Sequence, residues 1–110
     1  MFCDGELAHK PPKGWTDPIS WQQVYQYNPV PAVLTEADAR NILGVQANIW
    51  TELIATPAHL EYMVYPRAPA LAEICRTPLA GKDITSFEKC MRQQYRRLRL
   101  WLVNARPMSE

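Results

Sequence analysis

Val45-Gln46-Ala47-Asn48-Ile49-Trp50-Thr51-Glu52 alternates between apolar and polar side chains. Successive side chains of a β-strand point to opposite faces, so the alternation predicts a strand over residues 45–50. Val45, Ala47 and Ile49 make one apolar face. Gln46, Asn48, Trp50 and, where the extension continues, Glu52 make the other. One reading of this pattern is an edge strand in solvent. The other is the inner strand of an α/β architecture, with helices outside and a polar pocket within.

The flanks read as helices. Downstream, Thr56 suits a helix cap, and Pro57 suits the first helical position, whose N–H has no intrahelical partner. Pro66 and Pro69 interrupt the apolar stretch that follows, because an interior proline removes a backbone hydrogen bond and clashes with the preceding turn. Two helical pieces with a break near residues 65–66 are predicted, the second over residues 70–75. Residues 78–82 read as a turn. Thr85-Ser86-Phe87-Glu88 has the pattern of a capping box with Thr85 as cap, opening a helix to about residue 103. Phe87, Met91, Tyr95, Leu98 and Leu102 form its apolar stripe, opposite Lys89, Arg92, Arg96 and Arg99. Asn104 and Pro107 end it.

Upstream of the predicted strand, Thr35 caps a short helix, with Asp38 near the positive end of its dipole. Gly44 stops that helix after Leu43. Earlier still, Pro11, Pro12, Gly14, Pro18, Pro29 and Pro31 punctuate the chain, leaving room for one short helical turn over residues 20–27. The organisation expected is an irregular loop or linker region, residues 1–34, leading into an ordered body, residues 35–110.

The 110 residues suffice for one small domain, and 47% hydrophobic content is that of a globular chain. Twelve basic and eleven acidic residues leave a net charge of +1, which gives no reason to expect nucleic acid or an anionic membrane as partner. No apolar run approaches the roughly 18 residues that span a bilayer. The opening residues carry Asp4, Glu6 and His9 and lack the apolar stretch of a signal peptide. Cys3, Cys75 and Cys90 are odd in number and widely spaced, so buried or free thiols are expected rather than a disulfide framework. No metal is expected, since neither His9 nor His59 lies at ligand spacing from a cysteine.

Nucleophilic catalysis has no motif here: there is no Gly-x-Ser-x-Gly elbow and no phosphate-cradling glycine loop among four glycines. His59 reads as a surface or capping residue. Among the acids, Glu36 and Asp38 fit a helical first turn, and Glu61 and Glu73 fit helical ion pairs with arginines. Glu52 differs, because it follows a strand end two residues after Trp50. An indole face stacks on the apolar C–H face of a pyranose, and an ionised carboxylate accepts strong hydrogen bonds from two neighbouring hydroxyls. Trp-x-Glu is a weak motif alone. The arginine-rich last helix reads as a core-packed helix with its basic side in water. The competing reading is a small helical interaction module whose basic C-terminal helix binds a partner.

Three stretches in order sharpen the choice: Val24 to Pro31 (Val-Tyr-Gln-Tyr-Asn-Pro-Val-Pro), Ile42 to Glu52 (Ile-Leu-Gly-Val-Gln-Ala-Asn-Ile-Trp-Thr-Glu), and His59 to Arg67 followed by Ala70-Leu-Ala-Glu73. Together they resemble the bacterial β-N-acetylhexosaminidases of glycoside hydrolase family 20. The resemblance covers residues 20–77 well and the last helix loosely. It implies an α/β fold: the C-terminal part of a (β/α)8 TIM barrel, incomplete as given, with one to two strands and three to four helices. Residues 45–50 would be the eighth strand, whose carboxyl end opens on the active-site face.

The resemblance also implies roles. Trp50 would line the subsite for a terminal N-acetylhexosamine, and Glu52 would accept from the sugar's O4 and O6 hydroxyls. The implied reaction is substrate-assisted hydrolysis with retention, releasing terminal non-reducing GlcNAc or GalNAc from glycans or chitooligosaccharides. An Asp-Glu pair orients the acetamide and protonates the leaving oxygen in this family. No Asp-Glu dipeptide occurs in the chain, so no catalytic residue is expected in it, and the remainder of the barrel is required for activity. No cofactor is implied, and a periplasmic or secreted location is. A non-catalytic carbohydrate-binding remnant is the third reading. Two departures from the family pattern are Leu53, where an aromatic residue is frequent, and Arg76, near a frequent tryptophan.

Overall fold

In the computed structural model of the chain, residues 19–110 are described. The expectations for the proline-rich opening as far as Pro18, and for Cys3 and His9, lie outside them. Five helices follow in order: α1 (Trp21–Gln26), α2 (Glu36–Ala39), α3 (Pro57–Val64), α4 (Arg67–Arg76) and α5 (Ile84–Leu100). A 3-10 turn, Leu79–Gly81, precedes α5.

Local chemistry explains most helix starts. Ser20 caps α1 in a reciprocal box: its hydroxyl accepts from the Gln23 N–H, and the Gln23 side chain accepts from the Ser20 N–H. The Thr35 hydroxyl accepts from the Asp38 N–H at 3.2 Å, and that of Thr56 accepts from the His59 N–H at 3.1 Å. The break between α3 and α4 falls at Tyr65 and Pro66, joined by a cis peptide bond, with Pro66 fully buried.

The core is a cluster of Trp21 and Tyr25 from α1, Ala70 and Ile74 from α4, and Phe87 and Met91 from α5. The Phe87 ring lies 5.6 Å from that of Trp21 and 4.9 Å from that of Tyr25, both tilted. Such ring pairs contribute about 0.5–1.5 kcal/mol beyond the area they bury. Polar ties close the same junction. Lys82 Nζ donates to the carbonyls of Tyr25 and Tyr27, satisfying the C-terminal end of α1, and the Asp83 N–H donates to the Tyr25 hydroxyl at 2.9 Å.

The chain beyond α5 folds back across the other helices. The Asn104 N–H donates to Glu61 at 2.7 Å, and its side-chain amide donates to the Ala58 carbonyl. The Arg106 N–H donates to the Tyr65 carbonyl, and the Tyr95 hydroxyl donates to the Arg106 carbonyl. The Trp21 indole donates to the Met108 carbonyl at 2.9 Å. Finally the Tyr62 hydroxyl donates to Glu110 at 2.6 Å. This tail thus bonds to α1, α3, α5 and the turn before α4.

Several expectations need correction. The predicted strand over residues 45–50 is absent, and no strand occurs among the described residues, so the one-to-two-strand part of the expected fold class fails here. Strand formation requires a neighbouring chain to exchange hydrogen bonds, and no described residue exchanges backbone bonds with this segment. The short helix α2 stops at Ala39, well before Leu43. Asp83, rather than Thr85, caps α5: its carboxylate accepts from the N–H groups of both Thr85 and Ser86. A charged acceptor serving two donors outcompetes a hydroxyl serving one. Glu88 is then free to pair with Arg92 at 2.9 Å. Glu73 pairs with Arg76 as expected, whereas Glu61 binds the tail rather than an arginine.

The end of α5 also differs. Leu102 has φ 58°, a left-handed conformation. The Val103 N–H reaches the Leu98 carbonyl at 2.9 Å, and the Leu102 N–H reaches that of Arg99 at 3.0 Å. These two bonds form a Schellman motif, which turns the chain out of the helix. Phe87, Met91 and Leu98 are buried as the stripe predicts, but Leu102 is 69% exposed because the reversal carries it off the stripe. Glycine is the usual residue at this position, and a side chain there costs about 1 kcal/mol. Leu102→Gly therefore raises the unfolding free energy by roughly 1 kcal/mol in a denaturant titration, since little apolar burial is lost.

Tyr62 gives a second prediction. Burial, then its hydrogen bond to Glu110 and the charge on that carboxylate, push its phenol from 10.0 up to about 12. The folded chain therefore holds a proton that the unfolded chain releases between those values. Tyr62's contribution is complete below about pH 10 and is lost as pH rises towards about 12. Thermal melts across that range will fall less steeply for Tyr62→Phe than for the unsubstituted chain.

Candidate functional site

The Trp50–Glu52 segment lies between α2 and α3 in the chain, and none of its residues belongs to the buried core cluster. The Ile42 N–H still reaches the Ala39 carbonyl, at 3.1 Å, and the Ile54 N–H reaches the Thr51 carbonyl at 3.0 Å. Between them, residues 43–50 make no backbone hydrogen bond to any described residue. The Gln46 side-chain amide donates to the Asn48 side-chain carbonyl at 2.6 Å, which places these two groups on one side, as alternation requires.

The bond from Ile54 to Thr51 closes a turn with Glu52 and Leu53 at its centre. The alternation therefore does not run on into Glu52. Trp50 is 74% exposed on the approach to this turn, and Glu52 is exposed within it. Neither is locked in an apolar interior. The Glu52 carboxylate engages no described side chain. An indole face and an unengaged carboxylate two residues apart suit a ligand with an apolar face and a hydroxylated rim. Leu53, 45% exposed, adds apolar surface at the same turn.

A second feature went unrecognised in the sequence. A groove of about 430 Å³ opens between α4 and α5, lined among others by Tyr65, Glu73, Arg76, Asp83, Met91 and Trp101. Neither Trp50 nor Glu52 lines it. Its one charged pair is internally satisfied, since Arg76 grips Glu73 at 2.6 Å. The pattern that produces it was visible only in part: Pro69, Glu73 and Arg76 recur at helical spacing along one side of α4.

The remaining candidates fall where simple structural roles explain them. His59 is half-buried in the first turn of α3. Cys75 and Cys90 are free and exposed. Lys89, Arg92, Arg96 and Arg99 are exposed on α5. Arg67 is held below its ordinary value by burial and by the nearby Arg106, whose guanidinium lies 5.7 Å from the Tyr62 ring centre. Among the described residues no group of His, Cys, Asp and Glu is arranged to hold a metal ion, and no helix is long and apolar enough to cross a membrane.

Comparison with known proteins matches residues 2–78 to the catalytic domain of glycosyl hydrolase family 20. A beta-hexosaminidase of Porphyromonas gingivalis is 47% identical over 66 residues, 60% of this chain and 8% of that protein. One from Akkermansia muciniphila is 33% identical over 76 residues, 69% of this chain and 15% of that protein. One from Vibrio furnissii is 34% identical over 64 residues, 57% of this chain and 10% of that protein. The chain thus spans only a small fraction of these relatives' length. The matched stretch contains the quoted motifs, Trp50 and Glu52 included, and the chain belongs to glycosyl hydrolase family 20.

Proposed function

We propose that Trp50 and Glu52 form part of a subsite for a terminal non-reducing N-acetylhexosamine, within a (β/α)8 barrel whose other strands come from outside this chain. The carrying observation is that the family match spans both residues while both face solvent on either side of Thr51. In this reading residues 45–50 become the eighth strand once neighbours supply a hydrogen-bonding ladder, and α3 to α5 pack outside it. The relatives' name, beta-hexosaminidase, supports the sugar class.

The chemistry follows from the groups present. The indole covers the C–H face of the ring and excludes water there. The carboxylate accepts from two hydroxyls, and a sugar lacking either leaves a desolvated oxygen unpaired. Hydrolysis itself needs an acid and a group to orient the substrate's acetamide, and the chain has no Asp-Glu pair to supply them. Substrate-assisted retention is therefore a property of the completed barrel. This chain contributes sugar recognition.

Hydrolysis of a chromogenic N-acetylglucosaminide tests both parts. The 110-residue chain alone is expected to give no turnover above background. In a longer family polypeptide carrying this segment, Glu52→Gln is expected to lower kcat/KM by about tenfold to a hundredfold, the loss of one or two charge-assisted bonds. Trp50→Ala is expected to lower it by roughly tenfold. Turnover by the chain alone would overturn the missing-acid argument, and unchanged kinetics in both variants would overturn the subsite.

A further inference from the structure

The turn that carries Glu52 has little packing of its own to hold it in place. Residues 51–57 are exposed except for half-buried Ile54. Its placement passes to α3, whose cap, Thr56, stands two residues after the turn closes at Ile54. α3 has eight residues, too few to be stable alone, and its buried side chain, Tyr62, lies in its second turn. Its first turn needs a hold from elsewhere.

Asn104 supplies that hold. Its backbone N–H donates to a Glu61 carboxylate oxygen at 2.7 Å, and its side-chain amide donates to the Ala58 carbonyl at 2.9 Å. Ala58 and Glu61 are three residues apart, neighbours on one side of α3. The bond to Glu61 is charge-assisted, the stronger kind. Two local features aim Asn104. The left-handed reversal at Leu102 turns the chain out of α5. The Ala105 N–H then reaches the Val103 carbonyl at 2.9 Å, closing a tight turn with Asn104 at its centre. Glu61 lies inside the stretch matched to the family, and Asn104 lies outside it.

We propose that Asn104 and Glu61 are positioning residues for the Glu52 turn: the tail clamps the first turn of α3 and so fixes where the Glu52 carboxylate stands. The functional half of this rests on the reading of Glu52 as a sugar ligand. The path is short. From Ala58 it runs to the Thr56 cap, whose hydroxyl accepts from the His59 N–H, and on to Ile54, whose N–H closes the turn on the Thr51 carbonyl. Neither Glu61 nor Asn104 belongs to the core cluster, so the clamp can be opened with the core in place.

Amide hydrogen exchange in the 110-residue chain tests the clamp without any sugar. Glu61→Ala removes the acceptor, and Glu61→Gln keeps one. Glu61→Ala is expected to speed exchange of the Ile54 N–H by about tenfold, and Glu61→Gln by less than about threefold. The N–H of buried Met91 is expected to keep its rate in both. Asn104→Ala leaves the backbone bond to Glu61, so it is the milder opening and is expected to speed Ile54 by about threefold. An unchanged Ile54 rate overturns the proposal. So does an equal rise at Ile54 and Met91, which would make Glu61 a residue of global stability alone. A double-mutant cycle tests the route to the sugar, in a longer family polypeptide that carries this chain and hydrolyses the chromogenic substrate. Glu61→Ala is expected to lower kcat/KM by about tenfold with Glu52 present, and by less than about twofold in the Glu52→Gln background. An undiminished effect in that background overturns action through Glu52. A silent Glu52→Gln overturns the subsite and with it the functional half, whereas the exchange result stands or falls by itself.

Discussion

The described body depends on the indole of Trp21. Its ring packs against Phe87 of α5, and its N–H reaches the Met108 carbonyl in the tail. A buried indole must do both: its apolar face needs contact, and its N–H needs an acceptor. Meeting both needs fixes α1 between α5 and the last residues of the chain. Tyr25 repeats the arrangement one turn on, with its ring against Phe87 and its hydroxyl receiving the Asp83 N–H. Among the described residues the helices therefore assemble without a sheet. The returning tail supplies the long-range hydrogen bonds that a sheet would otherwise provide.

Two regions with different physics result. The body around Trp21 buries its rings and ties its elements together with hydrogen bonds, leaving Gln22 Oε1, one Arg67 nitrogen and Arg106 Nε buried without a hydrogen-bond partner. The segment from Ile42 to Ile54 differs: residues 43–50 make no backbone hydrogen bond to any described residue, and Leu43, Ile49 and Trp50 face water. The residues proposed for sugar recognition, Trp50 and Glu52, both belong to the second region. A binding surface needs unspent hydrogen-bonding capacity, and here that capacity is concentrated in one stretch.

The difference also explains what could be read in advance. Thr35 and Thr56 were legible as caps because a cap is decided within four residues. The break at Tyr65 and Pro66 was legible because proline acts on its own turn. The strand was not decidable in this way, because its formation rests on chains distant in sequence. Asp83 was missed because two candidate caps stood close together and only geometry could choose. Leu102 was missed because the left-handed position usually belongs to glycine, so no residue marked the reversal. Trp50 and Glu52 are both exposed, on either side of Thr51. Their common face did not extend from the pattern, since the turn at Thr51 interrupts the alternation.

Ala70 carries a further consequence. It is 0% exposed, within the cluster where α1 lies on α4. A larger side chain there has to displace its packed neighbours, and overpacking a core costs about 1–3 kcal/mol. Neutral drift at this position is thus confined to the smallest side chains.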